Sequence, residues 1–336
     1  MPKSGYASLI GRPNAGKSTL LNRIIGEKVA IVSDKPQTTR NRILAVKNYE
    51  HGQIAFVDTP GIHRPLHRLN VRMVDAAVDT LREVDVIALV FDASTRPGHG
   101  DEYVSNLLKG LKTPAVIVLN KIDLVSKTRL LPLMEQVQRW HDFVAIVPVS
   151  AATGDGVERL EQVLLEQLPE GERGFPDDYL TDQPERALVA ETVREKVLQH
   201  TRDELPFSTA VVVDEFDEEE RDRLLRLYCT IFVETESQKP IVIGRAGDMI
   251  KRIGTEARLD LEKFFGTKVF LDLRVKVNPD WRDNDRVLDD LGVPRTNTKG
   301  GGDAARRKAR SGRGTTGARG AGGARGARGA RGARRR

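Results

Sequence analysis

The chain has 336 residues, 39% hydrophobic and 30% charged, which fits two globular domains and excludes a membrane-embedded bundle. Its single cysteine, Cys229, excludes an internal disulfide and argues against a cysteine-built zinc site. The net charge of +6 is uneven: residues 299–336 carry +12 and the first 298 carry −6, so the basicity sits in a tail.

Strand-like and helix-like stretches alternate from the start. YASLIG predicts a strand, and GRPNAGKS (11–18) follows it directly and opens the helix KSTLLNRIIG. That context suits a phosphate loop of the form G-x-x-x-x-G-K-S. Gly11, Arg12, Asn14, Ala15 and Gly16 would wrap backbone N–H groups around phosphates, with Pro13, which has no N–H, in the same loop. Lys17 would neutralise their charge, Ser18 would ligate Mg²⁺, and Thr19 would line the helix start. QTTR (37–40) lies in a long segment before NRILAVKNYE and GQIAFVD, which read as a hairpin with one antiparallel strand. A threonine there, Thr39 in preference to Thr38, can ligate Mg²⁺ when a γ-phosphate is present, which makes the segment a switch.

The strand QIAFVD ends in DTPG (58–61). Asp58 suits a Mg²⁺ held largely through water, and Gly61 can offer its N–H to the γ-phosphate, with Thr59 and Pro60 between them. Ile62 follows, where Ras-type GTPases carry a water-orienting glutamine. His63 reads as a switch-loop residue. After the helix LNVRMVDAAVDTLREV come the strands VDVIALVF, PAVIVLN and FVAIVPVS. The second ends in NKID (120–123) and the third in Ser150–Ala151. Asp123 can accept from guanine N1–H and the 2-amino group, neither of which adenine offers. Asn120 would hold the pocket, the Lys121 stem would cover the ring, and the Ala151 N–H would reach O6. The helix GVERLEQVLLEQL closes a mostly parallel α/β P-loop GTPase domain over 1–170.

Residues 171–184 are rich in Pro, Gly and acids and read as a linker. Over 185–292 the order becomes helix, two strands (about 207–214 and 224–235), a helical pair around GRAG, and a last strand, TKVFLDLRVKV. WRDNDRVLDDLG suggests one more helix. This α+β order around G-x-x-G fits a KH domain. Gly244, Arg245, Ala246 and Gly247 would clamp a sugar-phosphate chain, with Lys251 and Arg252 one turn later. Ile243, Met249 and Ile250 would floor the cleft or enter the core. Residues 293–336, rich in Arg, Gly and Ala, read as disordered.

GRPNAGKST, KPQTTR, DTPG, NKID and SA, followed by FPDDYLTDQ and IVIGRAGDMIKRIGTEARLDLE, resemble the bacterial GTPase family Era over residues 5–292. The resemblance implies a Ras-like GTPase domain joined to a type II KH domain. It implies GTP/GDP and Mg²⁺ as ligands, and action in maturation of the small ribosomal subunit through the 3′ end of 16S ribosomal RNA. It also implies association with the inner face of the membrane; the short apolar runs and the early phosphate loop point to a cytoplasmic location, and a monomer is expected. Related members with a hydrophobic residue at the Ile62 position use K⁺ held by an asparagine matching Asn14. K⁺ is therefore a further expected cofactor, and Asn14, Lys17, Thr39 and Gly61 form the expected catalytic set. Two alternatives stand beside this reading: a GTP-independent RNA-binding protein with a structural nucleotide site, and a related GTPase acting on another ribosomal RNA.

Overall fold

The β-branched runs of the first half assemble into one six-stranded sheet of order β2-β3-β1-β4-β5-β6. A computed structural model describes residues 1–33, 35, 38–62, 68–201 and 205–293. The strands are β1 (Lys3–Ile10), β2 (Ile43–Tyr49), β3 (Gly52–Asp58), β4 (Val86–Asp92), β5 (Ala115–Asn120) and β6 (Ala145–Pro148). All pair in parallel except β2, which runs antiparallel to β3 as the hairpin pattern predicts. β3 and β5 are buried along their whole lengths, as strands covered on both faces must be.

α1 (Lys17–Ile25) and α5 (Val157–Gln167) cover one face through Leu20, Leu21, Leu160 and Leu164. α2 (Arg68–Thr80), α3 (His99–Asn106) and α4 (Lys127–Gln138) cover the other through Ala77, Val104 and Val137. Ile62 belongs to this second core, about 1% exposed, with its N–H donating to the Gly11 carbonyl at 3.1 Å.

Residues 171–184 do not form a loose linker. They run along the open edge of β2. Val46 N–H donates to the Leu180 carbonyl at 2.9 Å, and Leu44 N–H to Asp182 Oδ1 at 3.0 Å. Gln53 donates to the Phe175 carbonyl and accepts from its N–H, each at 2.9 Å. Phe175 and Tyr179 pack on the core beside them. Composition marks this segment as polar, yet its few large apolar residues anchor it, and pairing satisfies an edge that would otherwise be bare.

The second half contains α6 (Glu185–His200), α7 (Leu205–Ser208), β7 (Ala210–Asp217), β8 (Leu224–Val233), α8 (Lys239–Ile243), α9 (Asp248–Phe265), β9 (Lys268–Val277) and α10 (Asp285–Asp290). Its sheet has the order β7-β8-β9, with β8 and β9 parallel and β7 antiparallel to β8. β7 starts three residues later than the sequence pattern suggests, because Leu205–Ser208 forms a helical turn. Cys229 lies buried in β8, and burial pushes its thiol up to about 12, so it is no nucleophile at neutral pH.

α6 is buried on all sides over 192–198. Val189, Val193 and Val197 face the second core, while Arg194, Glu195 and Lys196 are also buried. The C-terminal segment crosses back to the first half. Trp281, Leu288 and Val293 pack with Leu69 and Met73 of α2. Arg72 donates to Asp285 at 2.7 Å, Asp289 at 2.9 Å and the Val293 carbonyl at 3.0 Å. Val293 is thus a buried residue, not the start of a disordered tail; the rest of the expected tail, 294–336, lies outside the described residues. Both halves belong to one unit of contacts, Met1–Thr296.

Candidate nucleotide and RNA sites

The phosphate loop joins β1 to α1. Gly16 caps α1 in the left-handed region at φ 90°, and a Cβ there would stand 2.2 Å from Asn120 Nδ2. Asn14 is left-handed too, at φ 64°. Lys17 is buried, its amine donating to the Gly11 and Arg12 carbonyls at 3.4 and 3.3 Å. Burial lowers its pKa, and nearby Asp58 counters that. The Arg12 side chain is engaged outside the loop. Its guanidinium pairs with Asp101 of α3 at 2.9 Å, so only the Arg12 backbone belongs to the loop. Pro13 and Gly61 meet closely: a Cβ on Gly61 would lie 2.8 Å from Pro13 Cα. Thr19 lines the same cleft, together with Thr38 and Thr39.

Ser18, Thr39 and Asp58 converge. Ser18 Oγ donates to Asp58 Oδ2 at 2.7 Å and lies 2.8 Å from Thr39 Oγ1. Thr39 Oγ1 is 3.4 Å from the same carboxylate oxygen. Thr38 instead donates to the Lys35 carbonyl at 2.6 Å. Burial raises the Asp58 pKa, and Lys17, Ser18 and Thr39 oppose that rise. Asp58 Oδ1 is buried with no hydrogen-bond partner. A carboxylate with one orphaned oxygen beside two hydroxyls is a donor set that fits Mg²⁺. Thr59 turns away, donating to the Leu9 carbonyl at 2.9 Å, and Pro60 is buried behind it. Gln37 and His63 lie outside the described residues.

Asn120 is the hub of the base side. Its Nδ2 donates to the Ala15 carbonyl at 2.9 Å, and its Oδ1 accepts from Lys121 N–H at 2.8 Å and Ala151 N–H at 3.0 Å. The Ala151 N–H, expected at guanine O6, is therefore engaged by Asn120, which uses it to hold the loop. Ser150 donates to Asp123 Oδ1 at 2.6 Å and orients that carboxylate. Lys121, left-handed at φ 65°, pairs with Asp92 at 2.6 Å. Sequence reasoning missed Asp92 and Arg23, whose Nε donates to the Ala151 carbonyl at 3.1 Å. Asp92 does end an apolar strand, the one signal that could have found it.

In the second half, the turn Gly244–Gly247 joins α8 to α9. Gly244 (φ 76°, ψ 176°), Ala246 (φ 53°) and Gly247 (φ 83°) all have positive φ. Arg245, Ala246, Lys251 and Arg252 are exposed. Arg252 Nε donates to Glu256 at 3.1 Å, within its own helix. Ile243, Met249 and Ile250 pack against the second core. A groove of roughly 360 Å³ runs between α9 and β9, lined by Lys251, Gly254, Arg258 and Phe270 among others. Phe270 is about half exposed and stacks edgewise on Tyr228, with centroids 5.9 Å apart. An exposed aromatic beside cationic side chains can stack a base. Gly254, Arg258 and Phe270 went unnoticed in the sequence because their grouping is set by strand–helix packing.

Comparison with known proteins finds two family models. A 50S ribosome-binding GTPase model matches residues 6–121, and a KH domain model matches residues 204–282. A GTPase Era of Geobacter sp. (strain M21) is 52% identical over 290 residues, 86% of this chain and 97% of the relative. A GTPase Era of Ruminiclostridium cellulolyticum is 47% identical over 290 residues, again 86% and 97%. Among solved structures, Era in complex with MgGDPNP and nucleotides 1506–1542 of 16S ribosomal RNA superposes with a TM-score of 0.85 at 42% identity. It covers 88% of this chain and 100% of that one. An Aquifex aeolicus Era variant bound to GDP·AlF4⁻ gives a TM-score of 0.83 at 41% identity, covering 87% and 100%.

Proposed function

The chain belongs to the GTPase Era family, and on that premise we propose that it is a GTP-operated switch that docks single-stranded RNA near the 3′ end of 16S ribosomal RNA and assists assembly of the small ribosomal subunit. The observation that carries this reading is the presence, in one unit of contacts, of a phosphate-loop site and of a G-x-x-G turn opening α9, the helix that lines the groove beside β9. The related Era complex holds MgGDPNP and 16S nucleotides together.

The chemistry follows from the residues. Lys17, the loop N–H groups and the α1 N-terminus bind the phosphates. Asp123, oriented by Ser150, selects guanine. Ser18, Thr39 and Asp58 are the residues that would hold Mg²⁺, which would supply neutralisation of phosphate charge. Gly61, free of a side chain against Pro13, lets the DTPG turn close on the γ-phosphate. Ile62 is turned into the core, so no side chain at that position orients the attacking water. Asn14, raised by its left-handed backbone at the loop rim, is the residue we assign to K⁺. Hydrolysis in matched KCl and NaCl tests that assignment, with several-fold faster turnover expected in K⁺; equal rates would remove it.

RNA affinity in the two nucleotide states tests the switch. An RNA copying the 16S 3′ end should bind the GTP-analogue form more tightly than the GDP form. Equal affinities would favour a structural nucleotide site, and preference for another ribosomal RNA would favour a different subunit target. The basic tail adds sequence-independent phosphate attraction in this reading, so deleting 296–336 should weaken binding at low salt and flatten the salt slope. Binding unchanged across salt would refute that. The protein acts as a cytoplasmic monomer with peripheral contact at the inner membrane face; flotation of the full chain with anionic vesicles checks the last point.

A further inference from the structure

Thr39 sits between two residues that are both held by the second half. The Thr38 carbonyl accepts from the guanidinium of Arg194 on α6. The Arg40 guanidinium donates to the Thr209 carbonyl at 2.9 Å and lies 5.1 Å over the Trp281 ring. Upstream in the same segment, Val32 N–H donates to Glu195 Oε1 at 2.9 Å, and Lys28 pairs with Glu195 at 2.5 Å and with Asp260 of α9 at 2.9 Å. The segment that carries the expected γ-phosphate-dependent ligand is thus gripped from α6, from α9 and from the turn around Trp281.

Arg194 is the most telling of these groups. It is about 1% exposed, and Glu191 one turn earlier fixes it through Nε at 2.8 Å and a second nitrogen at 2.5 Å. A charged guanidinium taken out of water is costly unless it is paired and hydrogen-bonded. Its Nη2, already set by Glu191, also donates to the Thr38 carbonyl, while Nη1 is buried without a hydrogen-bond partner; because the group is held in place beforehand, little entropy is lost in making the Thr38 bond. The grip acts on the backbone directly before Thr39, whose hydroxyl lies 2.8 Å from Ser18 Oγ.

We propose that Arg194, a residue of the RNA-binding half, is a positioning residue for GTP hydrolysis: it holds the Thr38–Thr39 backbone so that the Thr39 hydroxyl stays with Ser18 and Asp58. The proposal rests on the reading of Thr39 as a Mg²⁺ ligand in the GTP state. It makes the nucleotide site incomplete without α6. A GTPase domain cut away at the linker would keep its phosphate loop and lose the support of its switch.

The test uses the full chain with R194A, R194K and T39A, and reads single-turnover hydrolysis against Mg²⁺ concentration together with GDP affinity. Losing a charge-assisted hydrogen bond corresponds to roughly a ten- to hundredfold effect. R194A should slow hydrolysis by about that factor and raise the half-saturating Mg²⁺ concentration, while GDP affinity stays within about twofold. R194K, which keeps a cation but cannot hold Glu191 and Thr38 together through one planar group, should recover part of the loss. An impaired T39A alongside an unimpaired R194A would overturn this proposal alone. An unimpaired T39A would overturn the Thr39 reading and this proposal with it. If R194A does not fold, amide exchange on the native chain decides: loading with a GTP analogue should slow exchange at 38–40 and along α6 together. Slowing confined to 38–40 would overturn the coupling.

Discussion

Lys17→Ala should lower GTP affinity by roughly two to three orders of magnitude, the largest effect expected of any single substitution here. The amine is buried and directed by the Gly11 and Arg12 carbonyls. Burial depresses its pKa, but the neighbouring Asp58 carboxylate favours the charged form. Removing it leaves that carboxylate and the incoming phosphates facing each other with one cation fewer. Truncating one member of a buried charge pair costs about 2–5 kcal/mol. Fluorescent-nucleotide titration measures this directly. A second readout is thermal: GTP should raise Tm of the wild type and leave the variant nearly unmoved, because ligand stabilisation scales with occupancy. Binding within threefold of wild type would contradict the assignment.

Gly244→Ala should weaken RNA binding by roughly ten- to hundredfold and leave GTP hydrolysis without RNA unchanged. The backbone at Gly244 lies in a region that only glycine adopts without strain, and a Cβ there would stand 2.5 Å from Met249 Cβ and 2.7 Å from Met249 N. The strain amounts to about 1–3 kcal/mol, and the turn must reshape to relieve it, displacing Arg245 and Ala246. Gly247 provides an internal control. It too has positive φ, but a Cβ there meets nothing within 4 Å. Gly247→Asn, a residue that tolerates the left-handed cap, should therefore bind RNA far better than Gly244→Ala. Anisotropy with a labelled 16S 3′-end RNA separates the two. Equal binding by Gly244→Ala and wild type would mean that the turn does not carry the RNA contact.

The nucleotide site was largely legible in the sequence because phosphate binding imposes chemistry on contiguous residues. Gly11–Ser18, DTPG and NKID each sit at a strand end, and the parallel order of β1, β3, β5 and β6 brings them together. What escaped the sequence was where individual groups turn. Arg12 finds Asp101, 89 positions away, and the Ala151 N–H is taken by Asn120. The segment 171–184 looked like a linker because composition does not reveal that Phe175, Tyr179 and Leu180 have a core to enter. Trp281 carried no local signal for its place against Leu69 and Met73, since periodicity describes one element and says nothing of its distant partner. α6 is the clearest case. Its consecutive charged residues Arg194, Glu195 and Lys196 point in different directions around the helix, yet all three are buried because both halves of the chain pack around it.

The pairing of 171–184 with β2 also limits how the second half can travel. A free tether of fourteen residues would let two bodies drift apart by tens of ångströms. Here that stretch is stitched to the sheet as far as Asp182, and Gln183 donates to the Val29 carbonyl at 2.6 Å. Slack begins only at Pro184, the residue that caps α6 and whose ring fixes φ near −58°. The covalent swivel between the two halves is therefore confined to one stiff joint, and any reorientation must also release Arg72 from Asp285 and Asp289. A protease seeking the join between the two halves would find a segment tied to β2 by hydrogen bonds where a polar, proline-rich sequence promises an open loop.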